Sequence, residues 1–163
     1  MPLELKELML RSPRLTLGVA ESLTCGWVQA RIGSVTGASE FFLGGLTAYE
    51  LDQKVRHLGV DRALAEPVNA VSAAVAEQMA LGACAFFKSD IGLATTGYAE
   101  PNLAFGVKEP FAYWALAQVR LDGPPTILSG RAECPGASRI EAQRRVTDAV
   151  LGELVRYLVR LRG

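Results

Sequence analysis

Short apolar runs alternate with helical patterns along most of the chain, and this alternation restricts the possible folds more than any other feature of the sequence. The runs that favour strands are residues 15–20, 43–49, 90–96, 111–121 and 125–133. Helical patterns occupy residues 2–11, 24–31, 50–59, 69–89 and the segment after Ser138. Strands that alternate with helices form a sheet covered by helices. We therefore predict an α/β fold, a three-layer α/β/α sandwich with a mixed, mostly parallel sheet, in which residues 1–163 form a single domain.

The end of the chain carries the most definite patterns. Ser138 and Glu141 fit a capping box at the start of a helix. The apolar face of that helix repeats every four residues, at Val146, Val150, Leu154 and Leu158. Just before it, the Asp122-Gly123-Pro124 turn separates two strand patterns, which predicts an antiparallel pair. Ahead of these two strands, we expect a loop from Gly97 to about Pro110.

Composition excludes several classes of protein. The chain of 163 residues is 50% hydrophobic and has a formal net charge of +0, so it lacks the basic excess of most nucleic-acid-binding proteins. No apolar run approaches the ~20 residues of a membrane span. The N-terminal segment is acidic where a secretion signal is basic. The three cysteines of the whole chain are too widely spaced for a disulfide framework or a zinc site. We expect a cytoplasmic protein without a metal, a membrane partner or a nucleic-acid partner.

Polar clusters stand where three of the predicted strands end. They are Glu21-Ser22-Leu23-Thr24, the segment 49–54 and Thr95-Thr96-Gly97. In open α/β sheets, ligands bind outside the carboxyl ends of the strands, beside helix N-termini. Either Ser22 or Thr24 could instead be an ordinary helix cap, and Tyr49 and Lys54 could be rim and surface residues. The clusters together favour a ligand site on this edge of the sheet.

The same clusters resemble the conserved motifs of a known family. "AESLTCGW" (20–27) resembles the AESCTGG motif of the CinA C-terminal domain family, the nicotinamide-nucleotide amidases. "GLTAYELDQKVRHLGV" (45–60) is similar to that family's strand that ends in tyrosine and is followed by a lysine. Three further segments continue the resemblance in order: "NAVSAAVAEQMALGA" (69–83), "ATTGYAEP" (94–101) and "SRIEAQRRV" (138–146). The resemblance spans roughly residues 14 to 160.

The resemblance implies hydrolysis of the carboxamide of nicotinamide mononucleotide, with release of ammonia and without a cofactor. It implies that Ser22 is the nucleophile, that Lys54 is its base and that Tyr49 assists. His57 is the only histidine, and nothing around it indicates a Ser-His-Asp triad. Backbone N–H groups around Thr24 to Gly26 are candidates for an oxyanion hole. The predicted substrate-binding residues are Glu21, Thr24, Gly26, Thr96, Gly97, Arg139 and Arg144. We expect a small nucleotide-like substrate as ligand and a homo-oligomer.

The chain also departs from the family's motifs at several positions, among them Leu23, which stands where the family has a cysteine, and the glycine-poor segment 102–110. Two further departures concern glycines. Cys25 replaces a glycine of the first motif, and Glu100 replaces a loop glycine. A carboxylate at position 100 would repel a phosphate. Three hypotheses follow: an amidohydrolase with an altered substrate, a ligand-binding or regulatory paralogue without useful turnover, and an enzyme that uses Cys25 near a helix N-terminus.

Overall fold

A five-stranded sheet organises the computed structural model, which describes residues 2–163, with side chains from Glu4 onward. The strands are β1 (Leu17–Glu21), β2 (Phe42–Thr47), β3 (Ile91–Tyr98), β4 (Phe111–Gln118) and β5 (Thr126–Glu133). The helices are α1 (Pro2–Leu10), α2 (Trp27–Gly33), α3 (Leu51–Leu58), α4 (Arg62–Ala65), α5 (Ala73–Phe87) and α6 (Arg139–Arg162). Short 3-10 turns occupy Ala38–Glu40, Glu66–Val68 and Leu103–Phe105.

The sheet is mixed, as predicted. Its strand order is β2-β1-β3-β4-β5, with β1 parallel to both of its neighbours. β4 is antiparallel to β3 and to β5, so every strand except β4 runs in the same direction. The carboxyl ends of β1, β2 and β3 therefore meet at one edge of the sheet, and the turn after β4 returns the chain for the predicted antiparallel pair.

Helices cover both faces of the sheet, which confirms the three-layer arrangement. Alternate residues of a strand point to opposite faces: Leu17 and Val19 pack with α1, α2 and α6, whereas Ala20 packs with α3 and α5. The second face is lined by small residues, so α5 lies very close to it. A Cβ on Gly92 would stand 2.0 Å from the carbonyl oxygen of Ala80, so only glycine fits there.

Several element boundaries differ from the sequence prediction, and one short helix was not predicted. β2 ends at Thr47 rather than Tyr49, β4 ends at Gln118 rather than Leu121, and α5 begins at Ala73 rather than Asn69. α2 begins at Trp27 rather than Thr24, because Cys25 and Gly26 have left-handed backbone angles (φ 46° and 100°) and form a turn. The loop predicted to start at Gly97 is wrong, since Gly97 and Tyr98 continue β3 and pair with β4. The short helix α4 was not predicted, because its four residues are too few to show a helical period.

Serine side chains cap the starts of α5 and α6, the second as predicted. Ser72 Oγ accepts a hydrogen bond from Val75 N at 3.1 Å, and Ser138 Oγ accepts one from Glu141 N at 3.4 Å. The Glu141 carboxylate accepts from the Arg145 side chain, so the capping box is only half formed. Within residues 2–163, none of the helices combines the length and the apolar character that crossing a membrane requires.

Candidate active site

Ser22 follows directly after the last residue of β1, at the edge where three strands end. Its backbone N–H donates to the carbonyl of Thr95 on β3 at 3.0 Å, which fixes the chain as it leaves the sheet. The side chain is 7% exposed and lines a cavity of about 400 Å³. Residues from the ends of β2 and β3 also line this cavity, among them Tyr49 and Thr96.

Lys54 lies beside Ser22 inside the fold. It is the fourth residue of α3, which begins immediately after the turn that follows β2, and its side chain is only 2% exposed. Lys54 Nζ donates to Ser22 Oγ at 3.0 Å, to the Ala48 carbonyl at 2.8 Å and to the Tyr49 carbonyl at 2.8 Å. The structure thus brings the predicted nucleophile and the predicted base into direct contact.

Burial shifts the protonation equilibrium of Lys54 toward its neutral form. Removal from water disfavours an ammonium ion, and burial lowers the pKa of Lys54 from 10.5 to about 8, although the Glu50 carboxylate opposes this decrease. About one lysine in ten is then neutral at pH 7. A neutral amine within hydrogen-bond distance of a hydroxyl has the geometry of a general base.

The backbone donors nearest to Ser22 differ from those proposed on the sequence. The N–H of Cys25 donates to the Ser22 carbonyl, and the N–H of Gly26 donates to Glu21 Oε2, so neither is available to an oxyanion. Within residues 2–163, the N–H groups of Leu23 and Thr24 have no hydrogen-bond acceptor. Leu23 also lines the cavity. Of these two, the N–H group of Leu23 is the better candidate for an oxyanion donor, because Thr24 is not part of the cavity lining.

Glu21 caps a helix instead of facing the cavity. The side chain is completely buried, and its carboxylate accepts hydrogen bonds from the N–H groups of Gly26 (3.1 Å), Val28 (3.1 Å) and Gln29 (2.9 Å). An anion there satisfies donors at the start of α2 and complements the helix dipole. The substrate-binding role predicted for Glu21 therefore has no support in its position.

Replacement of Glu21 by glutamine is expected to destabilise the fold. The amide group would place N–H donors against backbone N–H donors and leave a buried bond unmade, which costs about 1–3 kcal/mol. Urea unfolding of Glu21→Gln measures the loss. Glu133→Gln, at an exposed carboxylate on β5, is the control and should unfold like the parent protein. Equal midpoints for all three proteins would show that the three hydrogen bonds add nothing to stability.

The other predicted binding residues divide into two groups. Thr96, Gly97 and Arg139 line the cavity. Thr24, Gly26 and Arg144 do not: the Thr24 hydroxyl pairs with that of Thr95 at 2.8 Å, and the Arg144 guanidinium lies 5.0 Å from the centre of the Trp27 ring. Sequence reasoning missed several lining residues, which include Glu66, Asn69, Tyr98 and Asn102.

The wall of the cavity carries a three-residue hydrogen-bond network. Arg139 Nη1 donates to Glu100 Oε1 at 2.7 Å, and Arg139 Nη2 donates to the Tyr49 hydroxyl at 2.7 Å. The Tyr49 side chain therefore binds Arg139, and its contribution to Lys54 is the backbone carbonyl. This network, made of Tyr49, Glu100 and Arg139, is called the rim network below.

Cys25 is poorly placed for catalysis. Its side chain is exposed and is not part of the cavity lining. The helix behind it starts two residues later, and the Glu21 carboxylate already occupies that helix N-terminus. The thiol hypothesis needs a free helix N-terminus beside Cys25, and the structure described for this segment does not provide one.

The family model described as "CinA C-terminal domain" matches residues 4–158. The chain belongs to the CinA C-terminal domain family. A CinA-like protein from Chlorobium limicola is 35% identical over 156 residues, which are 95% of this chain and 36% of that protein. A CinA-like protein from Picosynechococcus is 49% identical over 94 residues, which are 58% of this chain and 22% of that protein. The chain thus spans about a third or less of the length of these CinA-like relatives.

Solved structures of the CinA superfamily share the fold. A protein of this superfamily from Klebsiella pneumoniae superposes with a TM-score of 0.87 at 21% identity, over 98% of this chain and 96% of that one. A second, from Enterobacter cloacae, gives a TM-score of 0.86 at 23% identity, over 96% and 89% of the two chains. At this level of identity, the likeness establishes the CinA fold and nothing about activity.

Proposed function

We propose that this domain is a serine–lysine amidohydrolase that acts on the carboxamide of a nucleotide-like or nucleoside-like substrate. The observation that carries the proposal is the buried hydrogen bond of 3.0 Å between Lys54 Nζ and Ser22 Oγ at the wall of a cavity. A serine hydroxyl becomes nucleophilic when an adjacent base removes its proton. Resemblance to the nicotinamide-nucleotide amidases supports the choice of substrate.

The first half of the reaction follows from the positions of these groups. Neutral Lys54 takes the proton of Ser22 as Oγ forms a bond to the carboxamide carbon. The N–H group of Leu23 donates to the developing oxyanion. Lys54 then returns the proton to the amide nitrogen, the carbon–nitrogen bond breaks, and ammonia leaves an ester on Ser22.

The second half regenerates the serine. A water molecule gives one proton to Lys54 as its oxygen attacks the ester carbon, and the bond between that carbon and Ser22 Oγ breaks. Lys54 returns the proton to Ser22 Oγ, and the product departs as a carboxylic acid, which loses its remaining proton to water. The overall change is a carboxamide and water to a carboxylic acid and ammonia.

The rate of hydrolysis is expected to rise with pH until Lys54 is neutral. Because burial lowers the pKa of Lys54 to about 8, kcat/KM should increase by about tenfold per pH unit well below that value and level off above it. A pH series of ammonia release from pH 6 to 9.5 measures this. The variant Tyr49→Phe keeps the backbone carbonyl that binds Lys54, so its pH–rate profile should have the same midpoint as that of the wild-type protein. A profile without a step between pH 7 and 9 would contradict the assignment of Lys54 as the base.

Ammonia release from a panel of nicotinamide nucleotides and nucleosides tests the proposal itself. The second candidate function is a ligand-binding or regulatory paralogue, and it is favoured by the contact of Glu100 with Arg139, the arginine of the cavity wall. Saturable binding of panel members without ammonia release supports that alternative. Turnover that is lost in Ser22→Ala supports the amidohydrolase.

A further inference from the structure

The charges around the cavity are predominantly negative. Its lining includes three carboxylates, from Glu50, Glu66 and Glu100, and two cations, Lys54 and Arg139. Lys54 must be neutral to act as a base, so in the reactive state Arg139 is the only cation that faces three carboxylates within the described lining. Such a cavity attracts a positively charged ligand and repels an anionic one.

The remaining cation is already engaged. Arg139 uses one terminal nitrogen for Glu100 and the other for the Tyr49 hydroxyl, each at 2.7 Å. A phosphate that approached Arg139 would have to displace Glu100 or remain beside its carboxylate. Exposed ion pairs contribute little to stability, so displacement is feasible, but the negative charge of Glu100 stays on the cavity wall in either case.

We propose that Glu100 selects against phosphate and that the preferred substrate is a cationic carboxamide without a phosphate group, of the pyridinium nucleoside class. This inference rests on the proposed amidohydrolase function and names the substrate class of the same site. A pyridinium ring carries positive charge, which the three carboxylates favour. Asn69 and Asn102 line the cavity, and their side-chain amides offer hydrogen-bonding partners to the hydroxyls of a sugar.

The test compares two carboxamides that differ only in a phosphate, nicotinamide riboside and nicotinamide mononucleotide. We expect wild-type kcat/KM to favour the riboside by at least about tenfold at low salt, with the preference decreasing as salt screens the charges. Glu100→Gln should shift the ratio toward the mononucleotide by about tenfold or more. A wild-type preference for the mononucleotide, or an unchanged ratio in Glu100→Gln, would overturn the proposal.

A matched control distinguishes an effect that is specific to the cavity from the general effect of removing an exposed carboxylate. Glu133 pairs with Arg131 at 2.6 Å, and the side-chain exposures of this pair (58% and 44%) are close to those of Glu100 and Arg139 (61% and 44%). Glu133 lies outside the cavity lining. Glu133→Gln should leave the substrate ratio at the wild-type value, and a shift equal to that of Glu100→Gln would overturn the assignment to Glu100.

Equilibrium binding to Ser22→Ala distinguishes failure of this inference from failure of the proposed function. If Ser22→Ala binds the riboside more tightly than the mononucleotide but the wild-type protein releases no ammonia, the proposed selectivity stands and the amidohydrolase function is rejected. Hydrolysis of both compounds at equal efficiency would retain the amidohydrolase and reject the selectivity. Binding of neither compound, without turnover of either, would overturn the inference together with its substrate class.

Discussion

Ser22→Ala is expected to lower ammonia release by at least about 10³-fold, because the variant lacks the atom that forms the bond to the carboxamide carbon. The alanine fits the same space, and Ser22 contributes its backbone N–H rather than its side chain to the sheet edge. The variant loses one of the three acceptors of Lys54 Nζ, so the free energy of unfolding should fall by no more than about 1–3 kcal/mol and the fold should be retained. Ammonia release under saturating substrate, measured beside circular dichroism, separates loss of chemistry from loss of fold.

Ser34→Ala is the control for this prediction, since Ser34 is exposed, caps the end of α2 and lies outside the cavity lining. It should retain wild-type turnover. Full activity in Ser22→Ala, combined with complete loss in Cys25→Ala, would replace the serine nucleophile with the thiol.

Lys54→Met is expected to reduce kcat/KM by ~10²–10⁴, the usual contribution of a positioned general base. Methionine keeps most of the apolar stem inside the fold but removes the amine that contacts Ser22 Oγ at 3.0 Å. Any residual activity should also lose the step near pH 8 that the lowered pKa of Lys54 predicts. A pH series of the variant measures both effects.

Lys108→Met provides the matched control, because Lys108 is exposed on the loop between β3 and β4 and is absent from the cavity lining. It should keep both the rate and the pH step. If Lys54→Met retained the pH step, another group would have to be the titrating base, even if the rate fell.

The fold and the proximity of Ser22 to Lys54 were accessible from the sequence because both depend on local patterns. Alternating strand and helix patterns determine the layers, and residues at the ends of parallel strands must meet at one edge. Ser22, Tyr49 and Thr96 all stand at such ends, and Lys54 follows within the first turns of the next helix. Motif resemblance then assigned roles to these residues, and those roles remain predictions.

Other parts of the site depend on side-chain directions that a linear pattern does not encode. The carboxylate of Glu21 turns back to the start of α2, whereas its position beside Ser22 favoured a ligand contact. The left-handed backbone at Cys25 and Gly26 moved the helix start and the free N–H groups. The pairing of Glu100 with Arg139 joins residues that are 39 positions apart, so it required the tertiary structure.

The way in which Lys54 is held has a consequence for how this fold can evolve. Two of the three acceptors around its amine are main-chain carbonyls, those of Ala48 and Tyr49, which persist whatever side chains occupy those positions. The rim network consists wholly of side chains, each of which a single codon change can replace. The rim network can therefore change while the contact between Lys54 Nζ and Ser22 Oγ is retained. We expect libraries randomised at positions 49, 100 and 139 to alter which ligands the cavity binds without loss of that contact.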